Sequence, residues 1–285
     1  MKRIIVLGGR GQFGRTASEE LRALGLPIMT ASRCGTADLH FDADDAATIR
    51  STIRPGDIIL DAAGPFHSRS TTLVEAAIDV GFDLIDINDD LSYAEAVLAL
   101  APSIDSAGIR VLTSASSVSA VAAAVVGHSG IESPRRVTAF LAPASRHTAN
   151  AGAAKSLIRS IGRPVRVFRN GQLTNRVGWS ESQTFRMPPP LGTIQGRLFE
   201  SADAVHLPRI WPTLQDILMY VDTNTLGVNT LLRFAVHSRL LRQFLESQAR
   251  LGTRIARTLG SEAGGIGYEI EDTAGHVTNC SIVAD

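Results

Sequence analysis

The sequence predicts an α/β protein, with a doubly wound parallel sheet in the first half followed by a smaller α+β domain. Three observations support this. Short apolar runs alternate with helical stretches up to about residue 112, a glycine-rich turn follows the first run, and the alternation ends near residue 130. Strands that alternate with helical stretches of about 10–15 residues imply right-handed crossovers and a parallel sheet covered on both faces.

The first apolar run, Ile4–Leu7, is rich in β-branched residues and ends at glycines, and apolar residues then recur at helical spacing over 16–24. The acidic start of 42–53 suits a helix N-terminus, where the backbone dipole favours negative charge. The remaining pattern predicts strands at 27–31, 38–41, 57–62, 83–87 and 109–112, and helices at 70–80 and 93–106.

The alternation changes after an alanine-rich helix predicted over 116–126, and 130–134 has the composition of a hinge. We therefore predict two domains, residues 1–128 and 129–285. The second domain is expected to contain a strand at 137–141, a helix at 151–161, a Pro- and Gly-punctuated stretch to about 212, a long helical region over 230–259, and two strands joined across Ala274-Gly275.

Composition excludes several classes of protein. The 285 residues include 44% apolar and 20% charged residues, and 28 Lys plus Arg balance 28 Asp plus Glu, which argues against a nucleic-acid partner. The two cysteines are too few for a disulfide framework, so a reducing compartment is expected. The longest late apolar stretch, Ala120–Val126, is far shorter than the roughly 18–20 residues that cross a bilayer. We expect a cytoplasmic protein with no membrane partner.

The turn after the first strand has the pattern G-x-G-x-x-G. One glycine makes the tight turn, one admits a pyrophosphate close to the backbone, and one lets the helix pack against the strand. A short strand precedes the pattern and an amphipathic helix follows it, which is the context that supports dinucleotide binding in a Rossmann fold. The predicted cofactor-binding residues of this turn are Gly9, Arg10, Gly11, Gln12, Phe13 and Gly14.

Other catalytic and binding motifs are absent from the sequence. It contains no G-x-x-x-x-G-K-[ST], H-E-x-x-H, C-x-x-C or G-x-S-x-G, and its histidines have no metal-ligand spacing, so no metal site is predicted. Tyr93, Tyr220 and Tyr268 are not followed by lysine four residues later, so the Tyr-x-x-x-Lys pair of short-chain dehydrogenases is also missing.

The second predicted strand ends in Ala31-Ser32-Arg33, and no acidic residue occurs between Glu20 and Asp38. Sites specific for NAD place an Asp or Glu about 20 residues after the glycine turn to bind the ribose 2′-hydroxyl. Here Ser32 and Arg33 can instead bind a 2′-phosphate, with Arg10 closing over it. The sequence therefore predicts NADP (NADPH) as cofactor.

Four segments together resemble the NADP-binding domain of saccharopine dehydrogenase-like proteins: GGRGQFG, Asp61-Ala62-Ala63-Gly64-Pro65-Phe66, LVEAAIDVGFDLIDINDD and SASSVSAVAAAVV. The resemblance covers about residues 1–128. It implies that the backbone of Ala63, Gly64 and Pro65 lies beside the cofactor. It also implies hydride chemistry in a cleft between a Rossmann domain and an α+β substrate domain.

The chain departs from that family in two respects. Serines occupy positions 114, 116, 117 and 119, where the family usually has a more glycine-rich segment, and family members are typically longer than 285 residues. We therefore expect the substrate domain to be incomplete at its C-terminus. The resemblance does not identify the substrate.

Reduction of an imine or carbonyl needs a positioned acid. His67 is the candidate acid, because the loop after the fourth strand faces the reactive end of the cofactor; an exposed loop histidine is the alternative. Arg146 and His147 precede a helix and are candidates to hold a substrate carboxylate, with a solvated loop as the alternative. Lys155, on that helix, is a further possible acid and is expected to be a surface charge.

The expected function is an NADP-dependent oxidoreductase of the saccharopine dehydrogenase-like type, acting on a small amino-acid-derived imine or carbonyl. The alternatives are a non-catalytic NADP(H)-binding sensor or regulatory protein and, less favoured by the glycine turn, a structural subunit with a vestigial site. The helical region 230–259, which mixes arginines with leucines, is expected to be the solvated side of a packed or dimerising helix, so a homodimer is predicted.

Overall fold

In the computed structural model, residues 2–284 are described, and the chain divides after Ala120 into two compact units. The first unit contains a sheet of six parallel strands in the order β3-β2-β1-β4-β5-β6. These strands are β1 (Ile4–Leu7), β2 (Ile28–Ser32), β3 (Leu39–His40), β4 (Ile58–Asp61), β5 (Asp83–Asp86) and β6 (Val111–Leu112). The predicted doubly wound fold and its strand order are confirmed.

Helices follow the strands as predicted: α1 (Gln12–Ala23), α2 (Ala46–Thr52), α3 (Thr72–Val80), α4 (Leu91–Ala99), α5 (Ala101–Ala107) and α6 (Ala120–His128), with a short 3₁₀ turn at Phe66–Ser68. The acidic start before α2 acts as predicted, because the Asp45 side chain accepts hydrogen bonds from the amides of Ala47 and Thr48. The helix predicted over 93–106 is two helices that meet at Leu100, and Pro102 lies in the first turn of the second.

The core of the first unit lies on both faces of the sheet, as a parallel sheet requires. Ile5, Ile59 and Leu84 are register partners that are fully buried on one face, and Val6, the next residue of β1, is fully buried on the other. Leu73 and Phe82, from α3 and the turn after it, are equally buried. This core fixes the strand ends from which the loops of the candidate site arise.

The second unit contains a mixed sheet of eight strands. They are β7 (Pro134–Ala142), β8 (Pro164–Arg169), β9 (Gln172–Val177), β10 (Ser182–Arg186), β11 (Thr193–Phe199), β12 (Asp216–Val221), β13 (Gly264–Asp272) and β14 (Val277–Ala284). Their order is β10-β11-β12-β7-β13-β14, with the β8–β9 hairpin attached to β12. Only β7 and β12 are parallel among the paired strands of this sheet in the described chain. The predicted terminal hairpin is therefore present.

The helices of the second unit are α7 (Ser145–Thr148), α8 (Ala151–Ser160), α9 (Asp203–Ile210), α10 (Val228–Ala235), α11 (Arg239–Ser247) and α12 (Ala249–Leu259). The long helical region predicted over 230–259 is thus three short helices, and Ser238 caps the second by accepting from the amide of Leu241. None of the helices between residues 2 and 284 is long and apolar enough to cross a membrane.

The two units divide after Ala120, so α6 belongs largely to the second unit. This boundary is eight residues earlier than the one predicted from the sequence, at residue 128. The break expected between 128 and 135 is present, since α6 ends at His128 and β7 begins at Pro134. The second unit is the longer of the two, although a smaller domain was expected, because the Pro- and Gly-punctuated stretch forms four strands of its sheet.

Stacked aromatic rings form the centre of the second core. The ring of Phe140 on β7 lies 4.7 Å from that of Phe185 and 5.7 Å from that of Tyr220, and Phe140 is fully buried. Aromatic pairs at such distances add to the stabilisation from burial alone.

Phe140→Ala is expected to lower the free energy of unfolding of the second unit by about 3–5 kcal/mol, because it leaves a cavity between two fixed rings. Phe234→Ala is the matched control: that side chain is 66% exposed, so a change of less than about 0.5 kcal/mol is expected. Both tryptophans, Trp179 and Trp211, lie in this unit, so urea unfolding followed by tryptophan fluorescence measures it selectively. Equal losses in the two variants would contradict the packing argument.

Candidate functional site

The backbone of the glycine turn between β1 and α1 leaves no room for a side chain at Gly8 or at Gly14. Gly8 has a φ of +76°, a left-handed conformation that favours glycine. A Cβ on Gly14 would lie 2.2 Å from the carbonyl oxygen of Gly8. The first turn of α1 therefore packs directly on the backbone of the loop, as the third glycine of the motif is expected to allow.

Gly11 differs from these two glycines. It is the N-cap of α1 in extended backbone, and a Cβ there would meet only the Gly8 carbonyl oxygen, at 3.1 Å. No side chain caps the helix, and the first turn contains no acidic residue. The space beside Gly11 is therefore open in front of a helix N-terminus, whose amides and dipole attract an anion.

The end of β2 supplies cationic and hydroxyl groups. Arg10, from the glycine turn, donates a hydrogen bond to the hydroxyl of Thr36, and its guanidinium lies over Gly35. Arg33 is exposed, and the nearest carboxylate oxygen in an ion pair is that of Asp42, at 3.7 Å. A pair this long between exposed groups contributes little, so the Arg33 guanidinium remains accessible to another anion.

The carboxylate nearest in sequence to this loop is already bound. Asp38 accepts hydrogen bonds from the amide and hydroxyl of Thr30, at 2.7 and 2.8 Å, and these bonds lower the pKa of Asp38. Ser32, at the end of β2, donates its hydroxyl proton to the carbonyl oxygen of Cys34. Arg33, in the loop after β2, and Arg10, in the glycine turn, are thus the charged groups available where an NAD site would present a carboxylate.

Arg69, which the sequence analysis did not identify, holds the loop after β4 in place. Arg69 donates to the carbonyl oxygen of Ala63 at 2.7 Å and to Asp61 Oδ2 at 3.0 Å. Asp61 Oδ1 in turn accepts from the amide of Ala63 at 2.9 Å. Ala63 is thereby fixed on both its amide and its carbonyl, while Gly64 and Pro65 remain exposed.

This ion pair is buried. The side chain of Asp61 is 0% exposed and that of Arg69 is 6% exposed. Burial raises the pKa of Asp61, and the adjacent Arg69 opposes that rise. Because an unpaired charge here would cost several kcal/mol, the pair holds the loop in one position. A residue spacing of eight, across a loop and a 3₁₀ turn, gave no sequence signal for this contact.

A second buried carboxylate, Asp86, lies at the end of the neighbouring strand β5. Its Oδ1 accepts from the amides of Ser114 and Asn88, at 2.8 and 3.0 Å, and from the Thr113 hydroxyl at 3.1 Å. Burial nevertheless raises the pKa of Asp86 to about 6. The side chain therefore joins the loops after β5 and β6 and is protonated in mildly acidic solution.

The hydroxyl of Tyr93 lies in the same buried region. It has no hydrogen-bond partner among residues 2–284, and its ring lies 5.3 Å from that of Phe66. Burial, with the charges of Asp86 and Asp61 adding to it, raises the pKa of Tyr93. Tyr93 is therefore a neutral side chain that packs the loop after β4 against α4.

His67 lies in the 3₁₀ turn after β4 and is half-buried, next to the buried ring of Phe66. Burial raises the pKa of Asp89, in the loop after β5, and the nearby His67 side chain opposes that rise. Two loops of the same sheet edge thus meet around His67. Its role as the proton donor stays a prediction.

Arg146 and His147 lie on α7 in the second unit, and both are exposed. Arg146 forms an ion pair with Glu262 and lines a solvent-open pocket of about 360 Å³ together with residues 260–263. The charge of Arg146 is therefore already partly neutralised.

Lys155 lies on α8. No three metal-ligating side chains lie close together among residues 2–284.

Comparison with known proteins gives distant similarities. No family model matches the chain, and no curated protein matches it. Solved structures that are similar include a myo-inositol 2-dehydrogenase from Lactobacillus plantarum, with 9% identity, coverage of 98% of this chain and 76% of that one, and a TM-score of 0.42. A meso-dapdh mutant from Clostridium tetani has 12% identity, coverage of 100% and 83%, and a TM-score of 0.43.

A WlbA dehydrogenase from Thermus thermophilus in complex with NAD and alpha-ketoglutarate has 10% identity, coverage of 98% and 83%, and a TM-score of 0.38. Similarities of this strength leave the functional argument to the residues of this chain. The resemblance to saccharopine dehydrogenase-like proteins stays a prediction.

Asp86→Asn is expected to remove a pH dependence of stability between about pH 4 and pH 6. The raised pKa means that the folded state binds this proton more tightly than the unfolded state, so stability falls as pH rises through that window, by about 2–3 kcal/mol. Urea unfolding at several pH values, followed by circular dichroism, measures the difference between wild type and variant. Asp105→Asn, at an exposed position, is the control and should keep the wild-type slope. An unchanged slope in Asp86→Asn would contradict the assignment.

Proposed function

We propose that this protein is an NADP(H)-dependent oxidoreductase of the saccharopine dehydrogenase-like type, which transfers hydride to or from a small amino-acid-derived imine or carbonyl. The observation that carries the proposal is the combination of an uncapped helix N-terminus at Gly11 with two cations, Arg10 in the glycine turn and Arg33 after β2. The first suits a diphosphate, and the second suits an additional phosphate on the adenosine ribose.

The residues present fit such a cofactor. A side chain at Gly11 would fill the open space before α1, where the diphosphate would bind to the backbone amides. Arg33 and Arg10 would hold the 2′-phosphate, with Ser32 beside them; Gln12 and Phe13 belong to the same first turn. The backbone of Ala63, Gly64 and Pro65 would line the nicotinamide end, in the position fixed by Arg69.

When bound, the cofactor supplies or accepts the hydride, and the protein supplies orientation and a proton. We assign the proton to an imidazole nitrogen of His67, from which it would pass to the nitrogen or oxygen that is being reduced. The buried pair Asp61–Arg69 keeps the loop that carries His67 in place. Arg146 and His147 are proposed to bind a carboxylate of the substrate, with Arg146 exchanging its pairing with Glu262.

The cellular setting is also part of the proposal. Cys34 and Cys280 are unpaired, which suits the reducing cytoplasm. Self-association into a homodimer is proposed as well.

Titration with NADPH and NADH tests the cofactor assignment. NADPH is expected to bind at least tenfold more tightly, about 1.4 kcal/mol, with the preference weakening as salt rises. Gly11→Val should abolish binding of both cofactors without changing the circular dichroism spectrum, because the side chain would occupy the space of the diphosphate. Equal affinity for the two cofactors in the wild type would refute the NADP assignment.

Arg33→Asp should narrow or invert the preference between the two cofactors. The matched control is Arg54→Asp, which makes the same charge change at an exposed position before β4, at the opposite edge of the sheet. The control should retain the wild-type ratio. A similar loss of preference in both variants would indicate a general electrostatic effect and not a contact with Arg33.

His67→Ala should lower kcat by about 10²–10⁴-fold and leave the Kd for NADPH unchanged, if His67 donates the proton. The assay is NADPH oxidation with oxo acids, in the presence and absence of amines. His237→Ala, at an exposed position in the second unit, is the control. A fall in kcat of less than about threefold would indicate that His67 is an ordinary polar residue of the loop. Tight NADPH binding without turnover on any substrate would instead indicate the non-catalytic sensor.

A further inference from the structure

Three consecutive helices of the second unit expose large apolar side chains to solvent. The first two helices contribute two each and the third contributes three, and the most exposed are Leu240 at 79%, Phe234 at 66% and Phe244 at 61%. The seven residues are Leu231 and Phe234 on α10, Leu240 and Phe244 on α11, and Leu251, Ile255 and Leu259 on α12. We call this set the exposed apolar surface. So many large apolar side chains in a single segment of about thirty residues mark an interaction site.

The exposure arises because the apolar part of each helix is wider than the part that packs against the protein. On α11, Leu241 and Leu245 pack against a cluster around the buried Trp179. Their neighbours Leu240 and Phe244 lie about 100° away around the helix and are left in solvent. Leu241 and Leu245 already pack α11 against this unit, so Leu240 and Phe244 are available to a partner.

Arginines accompany the exposed apolar side chains in a regular pattern. Arg233 precedes Phe234, Arg239 precedes Leu240, and Arg250 and Arg254 precede Leu251 and Ile255. All four arginines are exposed, and no carboxylate among residues 2–284 pairs with them. Each cation therefore lies about one-quarter turn from an apolar side chain, at the edge of the exposed apolar surface.

The segment is strongly basic within a neutral chain. Residues 226–260 contain six arginines and one acidic residue, Glu246, for a net charge of +5, whereas the whole chain has a formal net charge of zero. Glu246 is itself paired with Arg163. The partner of this surface must therefore supply both apolar contact and negative charge.

We propose that α10, α11 and α12 bind the surface of an anionic lipid bilayer, with the exposed apolar side chains entering the acyl boundary and the arginines contacting the headgroups. Amphipathic helices that have arginines beside Phe and Leu bind membranes in this way. Anionic headgroups add an attraction for each nearby arginine. The long arginine side chains can reach the headgroups while their stems remain on apolar surface.

Charge complementarity favours a lipid bilayer over a second copy of the chain at this surface, so the homodimer proposed above would form elsewhere on the chain. A twofold-symmetric dimer through this surface would place two segments of charge +5 against each other, and like charges in a desolvated contact are unfavourable. The helices have 8, 9 and 11 residues, too short to span a bilayer, so they would lie in its plane. The sequence-based expectation of no membrane partner considered only segments long enough to span, and this proposal replaces it.

Vesicle co-flotation of the full chain tests the proposal. Binding is expected to be at least tenfold tighter to phosphatidylcholine vesicles containing about 30 mol% phosphatidylglycerol than to pure phosphatidylcholine vesicles, and to weaken as salt rises from about 50 to about 300 mM. The double variant Arg250→Glu, Arg254→Glu should lose at least tenfold in affinity through charge. Phe234→Ser, Phe244→Ser should lose as much through apolar contact.

Two controls make the same chemical changes elsewhere on the surface. Arg186→Glu reverses an exposed cation on β10, and Leu24→Ser removes an apolar side chain that is 75% exposed; each should remain within twofold of the wild type. Circular dichroism confirms that every variant is folded. Equal binding to the two kinds of vesicle, or double variants that bind like the controls, would overturn the proposal. So would a dimer, measured by light scattering, that Phe234→Ser, Phe244→Ser dissociates in a chain that does not bind vesicles.

Discussion

The close approach of two backbone loops at the carboxyl edge of the parallel sheet is the constraint on which the candidate site depends. A Cβ at Gly8 would lie 2.9 Å from backbone atoms of both Ala62 and Ala63, and one at Gly14 would overlap the carbonyl of Gly8. The loop after β1, the start of α1 and the loop after β4 therefore fit together only without side chains at these glycines. A dinucleotide needs such a junction, since the first loop would hold its diphosphate and the second its nicotinamide end.

Buried charge stabilises this junction from within the sheet. Asp61 and Asp86 are aligned on neighbouring strands, and both are fully buried. Arg69 compensates Asp61, whereas Asp86 is compensated by hydrogen-bond donors of the adjacent loops and has a pKa raised to about 6. Each carboxylate accepts a hydrogen bond from a backbone amide of the loop that follows its own strand. The two carboxylates therefore fix the positions of these loops. Loops that would contact a cofactor are thereby tied to the most rigid part of the fold.

The strands and helices of the first unit could be predicted from the sequence because each of their signals is local. Ile4–Leu7, the glycines and the amphipathic helix are contiguous, and the period of the apolar residues identifies each element. Arg69 could not be identified in this way, since its contacts with Asp61 and Ala63 depend on how a 3₁₀ turn folds back. Asp86 shows the same limit, because its donors Thr113 and Ser114 come from another strand end. Strands β8–β11 were missed because proline and glycine hide the alternation that would reveal them.

The neutral composition of the chain conceals two local excesses of positive charge with different chemistry. Arg10 and Arg33 are close to a helix N-terminus with an open backbone cradle, and that combination suits the phosphates of a small ligand. The arginines of α10–α12 are instead beside exposed Phe and Leu side chains, which suits an extended interface between water and hydrocarbon. Electrostatic effects between exposed charges fade over about 8–10 Å at physiological salt, so a balanced total elsewhere does not cancel either group. The side chains beside each arginine cluster, and not the net charge, indicate what it binds.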